Sequence, residues 1–291
     1  MIVFNTIKDL IQLAEEKAIP IHELVIAREI QISQNSWEMV IEGMKKNWQV
    51  MLKAARRGSL NEERSVSNLT GGDAKRIFER SLYGYTGNTV MKAAAYAVGI
   101  SEVNAVMGKI VACPTAGSCG ILPAAVLAGA EKNQNSEEEI INVFFTAAGI
   151  GMVIAQNASI SGAAGGCQAE CGSAAGMAAG ALVELAGGTP EQVGQGVALA
   201  LKNMLGLVCD PVAGLVEVPC VKRNGFAAVQ AMLAADMALA GVKSVIPVDE
   251  VIAAMHKIGK AIPKSLRETS EGGLAVTPTA KKIEERLYGK K

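Results

Sequence analysis

The feature that most constrains the fold is a long stretch without charge, between Glu139 and Glu170. Its length alone suits a membrane span. The stretch also carries serines, asparagines and a cluster of glycines, and it lacks the aromatic belts and the basic flank of membrane-spanning segments. A second uncharged run covers residues 110–130 and is interrupted by prolines. We therefore expect buried helices of a soluble protein that has no membrane contact.

The composition favours a core built from small side chains. Half of the residues are hydrophobic but only 4% are aromatic, and the chain contains 31 glycines. Few stretches alternate with the period of two that marks a half-buried β-strand, and no βαβ rhythm is present. The sequence predicts an all-α fold, with a single large helical domain, a buried Ala/Gly-rich core and loops that converge on one site.

Capping motifs mark where several helices begin. Ser136 and Glu139 form a capping box before a helix that runs to about Ala155. This helix is apolar on almost every side, which indicates burial. Thr189 and Gln192 form a second capping box. These motifs predict two long helices on either side of the polar and glycine-rich segment that follows the first of them.

A polar, glycine-bearing break at residues 65–73 divides the chain. We expect an N-terminal helical region over residues 1–65 and a helical domain over residues 66–291 that carries the functional site. The formal net charge is zero, which argues against a nucleic-acid partner. The first residues soon become charged, unlike a signal peptide, and six cysteines in 291 residues are too sparse for a disulfide framework. A cytoplasmic location is therefore expected, with the cysteines serving as thiols or metal ligands.

The six cysteines fall as three pairs, and none of the pairs has the spacing of a zinc finger or a ferredoxin. Cys209 and Cys220 bracket a segment that two prolines and a glycine prevent from forming one continuous helix. Cys167 lies in another glycine-rich loop. Spacing alone leaves two interpretations open, which are small buried hydrophobic side chains and thiols that bind a metal.

Several ordered motifs closely resemble those of iron–sulfur L-serine dehydratases. They span about residue 65 to residue 260 and comprise Ser67–Gly72, Pro114–Gly120, Asn157–Gly162, Gly166–Glu170 and Cys209–Cys220. The chain length is similar to that of the separate α chain of the two-subunit form. The resemblance implies that the helical domain is catalytic. It also implies a partner, a small β subunit, in a heterodimer or a higher oligomer.

The resemblance implies a [4Fe–4S] cluster held by Cys167, Cys209 and Cys220, with one iron left without a protein thiolate. An open iron acts as a Lewis acid, which suits the poor hydroxyl leaving group of L-serine. The implied reaction converts L-serine to pyruvate and ammonia, a step of serine catabolism that feeds gluconeogenesis. One-chain members of the family carry a terminal cysteine that can occupy the open iron. This chain ends differently, so water or a group from elsewhere is the expected occupant at rest. The remaining thiols are expected to pack as spare cysteines: Cys113, Cys119 and Cys171.

Loop amides and hydroxyls suit the carboxylate and amino groups of a small amino acid. The candidate substrate-binding residues are Thr115, Gly117, Ser118, Asn157, Ser159, Ser161 and Asn203. Lys202 is a candidate base if burial lowers its pKa, and the small subunit is the alternative source of the base. His22 and His256 are expected at the surface.

Three other functions compete with serine dehydration. A related cluster-dependent lyase would act on L-cysteine or on another small 2-amino acid. A dehydratase that uses pyridoxal phosphate is less favoured, because the α/β rhythm of its common fold is missing. From a different class, the chain would be a non-enzymatic helical subunit of a membrane or binding assembly.

Overall fold

The computed structural model describes residues 2–289, and the regular secondary structure in that range is helical. The only bridge of β type in the described range joins Cys209 to Arg267, and no strand forms around it. The prediction of an all-α fold is confirmed. The thirteen α-helices of this range are α1 (Ile7–Lys17), α2 (Ile21–Ser33), α3 (Trp37–Leu60), α4 (Asp73–Arg80), α5 (Asn88–Ala105), α6 (Ile121–Asn133), α7 (Glu137–Asn157), α8 (Gly162–Gly165), α9 (Ser173–Leu185), α10 (Pro190–Met204), α11 (Cys220–Leu239), α12 (Val248–Ala261) and α13 (Pro278–Tyr288).

The N-terminal helices pack into the same core as the rest of the molecule. Ile7 and Leu10 of α1 and Leu24 of α2 are fully buried in it. Trp48 of α3 contacts Phe144 of α7, with ring centroids 5.6 Å apart. Side chains from both sides of residue 65 therefore contribute to one continuous core, while the division at that residue stays a prediction.

Helix α9 lies at the centre of this core. It packs against α6, α7, α10 and α11, and all but one of its side chains are buried. Most of these side chains are alanine or glycine, so the surrounding helices approach its backbone closely. Small residues also allow α3 to pack closely on α5, where Gly58 lies against the backbone of Gly99. The predicted Ala/Gly-rich core is confirmed.

The uncharged stretch between Glu139 and Glu170 forms most of α7 and the segments after it. Its capping box is present, since Ser136 Oγ accepts a hydrogen bond from the Glu139 amide at 3.2 Å and Glu139 Oε2 accepts one from the Ser136 amide at 2.7 Å. Helix α7 is the one described helix long and apolar enough to cross a membrane by length and composition. Most of that span is buried within the protein, where it packs against α2 and α9. Helix α7 therefore contributes to the core of the protein.

Three loops and one irregular helix converge where α9 and α11 begin. A π-helical segment, Gln168–Gly172, joins α8 to α9. The segment between Cys209 and Cys220 contains only a short 3-10 turn, Val212–Gly214, which confirms that it is not a continuous helix. Helix α11 begins at Cys220, the last residue of this segment. This cysteine is therefore fixed to the first turn of a long helix.

The C-terminal segment holds the loop that follows Cys209. The Cys209 amide donates to the carbonyl of Leu266 at 2.9 Å, and the Glu268 amide donates to the carbonyl of Cys209 at 2.8 Å. Further along, the amide of Leu274 donates to Asp210 Oδ2 at 2.8 Å. These bonds fix the backbone on both sides of the Cys209 thiol.

Candidate active site

Two thiols and one carboxylate meet at the N-terminal end of α9. The Cys167 Sγ, the Cys209 Sγ and a carboxylate oxygen of Glu170 all lie within 4.8 Å of one another. Both cysteines are only 2% exposed. Glu170 belongs to the π-helical segment, a local widening of the helix that is frequent at functional sites. We refer to these three residues as the thiol–carboxylate group.

Cys220 faces the same region from α11 but lies outside the thiol–carboxylate group. Burial, together with the negative charge of Cys167, raises the pKa of its thiol to about 12. Cys171, expected to be a spare thiol, lies within hydrogen-bonding reach of Cys167. The three predicted ligands are therefore close enough for their charges to act on one another, and a fourth thiol lies beside them.

The electrostatics of the site centre on Cys167. Hydrogen bonds from the thiols of Cys171 and Cys209, together with the charge of Arg223, outweigh the cost of burial and lower the pKa of Cys167 to about 3. The same hydrogen bonds raise the pKa of Cys171 and of Cys209. Cys167, Cys171 and Cys209 thus share one negative charge, which is placed on the sulfur of Cys167. Since metals bind thiolates, a bound metal would release the remaining protons.

Arg223 supplies the positive charge beside this thiolate. Its Nη1 donates to Cys167 Sγ at 3.3 Å and to the carbonyl of Val208 at 2.8 Å. Its Nη2 pairs with Asp210 Oδ1 at 2.9 Å. The planar guanidinium thereby links the Cys167 thiol to both sides of Cys209, which is an arrangement that a lysine cannot reproduce.

Glu170 is the site residue that the sequence alone did not single out. Burial raises the pKa of its carboxyl to about 7, and the Cys167 thiolate and Glu268 act in the same direction. The Thr115 hydroxyl donates to Glu170 Oε1 at 2.8 Å and opposes that change. The available clue was its position, because Glu170 ends the uncharged stretch and follows Cys167 in one motif.

Gly162 leaves room for the thiol–carboxylate group. A methyl group on its Cα would lie 2.8 Å from Glu170 Oε2 and 3.1 Å from Cys209 Sγ. The carboxylate oxygen and the thiol therefore share a space that any larger residue at this position would fill. The donor set consists of soft sulfur atoms and one harder oxygen, and such a set can hold iron or another transition metal.

Two buried amides hold the surrounding loops together. Asn224 is fully buried, and its Oδ1 accepts from the Gly120 amide at 3.0 Å. Its Nδ2 donates to the carbonyls of Gly117 at 2.7 Å and Cys220 at 3.0 Å. Gln168 joins the Cys167 segment to Gly206 and to α12 in the same way. These bonds fix the thiols relative to the loop at 113–120.

The structure brings some of the candidate substrate-binding residues to the group. Thr115 contacts Glu170 directly, and a methyl group on Gly117 would lie 3.3 Å from Glu170 Oε1. Ser159 and Ser161 precede Gly162, and the Ser161 amide donates to Ser159 Oγ at 3.2 Å. Ser118 lies in the same loop as Thr115 but is fully buried, and its hydroxyl contacts atoms of that loop.

Two other candidate residues have their polar groups engaged elsewhere, and a third is exposed. Asn157 Nδ2 donates to the carbonyls of Asn5 at 2.7 Å and Val153 at 2.9 Å. Lys202 Nζ donates to the carbonyl of Ser244 at 2.6 Å, in the loop between α11 and α12. Asn203 is exposed on α10.

The two histidines differ from the expectation of surface positions, because both are partly buried. His22 Nδ1 lies 2.5 Å from a carboxylate oxygen of Glu184 on α9. His22 therefore joins α2 to the central helix.

Comparison with known proteins identifies the family. A family model described as "Serine dehydratase alpha chain" matches residues 16–275. The "Probable L-serine dehydratase, alpha chain" of Bacillus subtilis is 52% identical over 99% of this chain and 96% of its own length. The "L-serine dehydratase, alpha chain" of Peptoniphilus asaccharolyticus is 44% identical over 97% of each chain.

A longer relative matches only in part. The "L-serine dehydratase" of Streptomyces coelicolor is 38% identical over 94% of this chain, and the match covers 61% of that protein. The motifs that meet in the structure all lie within the range of the family model, as does every residue of the thiol–carboxylate group. The chain therefore belongs to the serine dehydratase α-chain family.

Proposed function

We propose that this chain is the α subunit of an L-serine dehydratase, a lyase that converts L-serine to pyruvate and ammonia at a [4Fe–4S] cluster held by Cys167, Cys209 and Cys220. The observation that carries the proposal is the meeting of buried thiols beside Arg223. The cysteines come from three separate parts of the chain, yet their charges act on one another. The printed names of the relatives supply the substrate.

The residues present suit such a cluster. Sulfur ligands select iron–sulfur clusters, and three thiols leave one iron open. Gly162 keeps clear the space between Cys209 and Glu170. Arg223 balances the negative charge of the thiolates. When bound, the cluster supplies a Lewis acid that makes the serine hydroxyl a better leaving group.

The chain itself would bind and orient the substrate. Thr115 and Gly117 border the group on one side, and Ser159 and Ser161 lead into it on the other. Hydroxyls and loop amides suit the serine carboxylate. Ser118 supports this loop from within. Asn157 and Asn203 are retained as candidates for substrate binding with less support, because neither contacts the thiol–carboxylate group through a hydrogen bond described between residues 2 and 289.

The reaction also requires a base for the Cα proton. Loss of that proton and of the hydroxyl gives aminoacrylate and water, and aminoacrylate then tautomerises and hydrolyses to pyruvate and ammonia. Lys202 is the candidate base within this chain, although its Nζ is engaged by the Ser244 carbonyl. The alternative is a group on a small β subunit. Relatives named as α chains support such a partner, in a cytoplasmic heterodimer or a higher oligomer that serves serine catabolism and gluconeogenesis.

Anaerobic reconstitution with iron and sulfide, followed by a pyruvate assay on L-serine, tests the proposal. The assay is run on the chain alone and on the chain co-expressed with its small subunit. We expect alanine at position 167, 209 or 220 to abolish the cluster absorbance and the turnover. The matched control is Cys119→Ala, which removes a buried thiol outside the group and should retain both. A cluster that survives in all three ligand variants would contradict the ligand assignment.

The assay also separates the two sources of the base. Turnover by the chain alone that is lost in Lys202→Met supports Lys202. Turnover that appears only in the complex and persists in Lys202→Met supports the small subunit. Formation of a cluster without serine turnover in the complex would instead favour a binding or redox role.

A further inference from the structure

Glu170 is the one carboxylate that joins the cysteine thiols within metal-ligating distance in the described part of the chain. We propose that the Glu170 carboxylate binds, in the resting enzyme, the iron that the three cysteines leave without a thiolate. This inference rests on the proposed cluster. It adds a fourth protein ligand and names the group that the substrate hydroxyl must displace.

The two carboxylate oxygens of Glu170 have different surroundings. Oε1 accepts a hydrogen bond from the Thr115 hydroxyl at 2.8 Å, which fixes the plane of the carboxylate. Oε2 lies on the side of Gly162, where a methyl group on that glycine would be 2.8 Å from it and 3.1 Å from Cys209 Sγ. The Thr115 hydroxyl thus holds Oε1, while Oε2 lies beside Gly162 on the side of the Cys209 thiol.

The two glycines on either side of the carboxylate keep it in this position. Gly117 faces Oε1, since a methyl group there would lie 3.3 Å away. Gly162 faces Oε2 at shorter range. A larger residue at either position would push the carboxylate out of its present place. Because neither glycine has a side chain, both oxygens of the carboxylate stay accessible at this position.

Carboxylate oxygen is a suitable exchangeable ligand for the open iron. It is harder than thiolate, so it binds a Lewis-acidic iron without converting the cluster to a closed four-thiolate site. In the exchange, the bond from iron to Oε2 breaks and a bond from iron to the serine hydroxyl oxygen forms, with no electron transferred. The Thr115 hydroxyl, bonded to Oε1 in the structure, would hold the displaced carboxylate beside the substrate.

The nearby alternative is sulfur. Cys171 lies within hydrogen-bonding reach of Cys167 and would also supply a ligand atom. Water is a third occupant. Carboxylate, thiolate and water give different magnetic signatures, so one set of measurements on the intact complex distinguishes them.

Electron–nuclear double resonance on the reduced cluster of the α/β complex tests the inference. The complex is prepared with glutamate labelled with ¹³C at the side-chain carboxyl, and separately in water enriched in ¹⁷O. In the wild type we expect a resolved ¹³C coupling and no ¹⁷O coupling from a bound water. In Glu170→Gln we expect the ¹³C coupling to disappear and a ¹⁷O coupling to appear. The matched control is Glu268→Gln, which removes a neighbouring carboxylate and should retain the wild-type pattern.

The outcomes separate this inference from the proposed function. A wild-type complex that turns over serine but lacks the ¹³C coupling overturns the Glu170 ligand and leaves the proposed function standing. Such a complex with a ¹⁷O coupling contains water at that iron. A wild-type complex with neither coupling, in which a ¹⁷O coupling appears in Cys171→Ala but not in Glu170→Gln, contains sulfur at that iron and also overturns the Glu170 ligand. A wild-type complex without any cluster overturns both proposals. If Glu170→Gln does not fold, the labelled wild type alone decides.

Discussion

Asn224 offers the most direct test of how the fold positions the thiols. Its side chain makes three hydrogen bonds, one from the Gly120 amide and two to the carbonyls of Gly117 and Cys220. Asn224→Ala removes all three in a fully buried place. Each such bond contributes about 1 kcal/mol, and an unpaired buried amide costs about as much again. We expect these contributions together to lower the free energy of unfolding by about 4 kcal/mol, which corresponds to a change of roughly a thousandfold in the folding equilibrium.

The measurement is urea denaturation of the cluster-free chain under reducing conditions, with cluster content determined separately after reconstitution. A matched control lies on the same helix. Gln230 Nε2 donates one hydrogen bond to the carbonyl of Ala200 at 3.0 Å, so Gln230→Ala should cost about 1 kcal/mol and leave cluster content unchanged. Equal losses of stability in the two variants would refute the reasoning, as would full cluster loading of Asn224→Ala.

Two further predictions use pairs of variants on single helices. Gly58→Ala in α3 places a methyl group against the backbone of Gly99, and we expect a loss of about 3 kcal/mol in the free energy of unfolding. Gly43→Ala is the control in the same helix, where the methyl group meets open space, and it should raise the free energy of unfolding by about 0.5–1 kcal/mol. A stabilised Gly58→Ala would contradict the close approach of α3 and α5. Arg223→Gln removes the donor to the Cys167 thiolate, and we expect iron affinity, measured by loss of cluster absorbance to a chelator, to fall about 10–100-fold. Lys222→Gln is its control, because Lys222 pairs with Asp73 at 2.5 Å and should leave cluster retention unchanged.

Local patterns predicted the helical framework well. The capping boxes at Ser136 and Thr189 are present, and each begins a long helix as expected. These motifs act within one turn of a helix, so a short window of sequence contains all of their information. The uncharged stretch predicted a buried helix for the same reason, because burial on every side requires apolar residues on every side.

The details of the site could not be predicted in this way. The resemblance to a family predicted Cys167, Cys209 and Cys220 as ligands. The position of Glu170 beside the thiols became visible only in the three-dimensional structure. Its contact with Thr115 joins residues far apart in sequence. The π-helical segment that turns Glu170 toward the thiols has no sequence pattern of its own. His22 was misjudged for a similar reason, because its partner Glu184 lies on another helix.

The loop between Cys209 and Cys220 is held from several sides by contacts of this long-range kind. Within it, Glu217 is buried and accepts hydrogen bonds from Ser65 at 2.6 Å and Ser67 at 2.8 Å, both in the polar break before α4. On another side, the hydroxyl of Tyr288 donates to the carbonyl of Ala213 at 3.2 Å. A loop stiffened only by its own prolines would fix its internal shape but not its place relative to Cys167. The distant contacts supply that placement, so variants of Ser65 or Ser67 should reduce cluster retention although neither serine contacts a thiol.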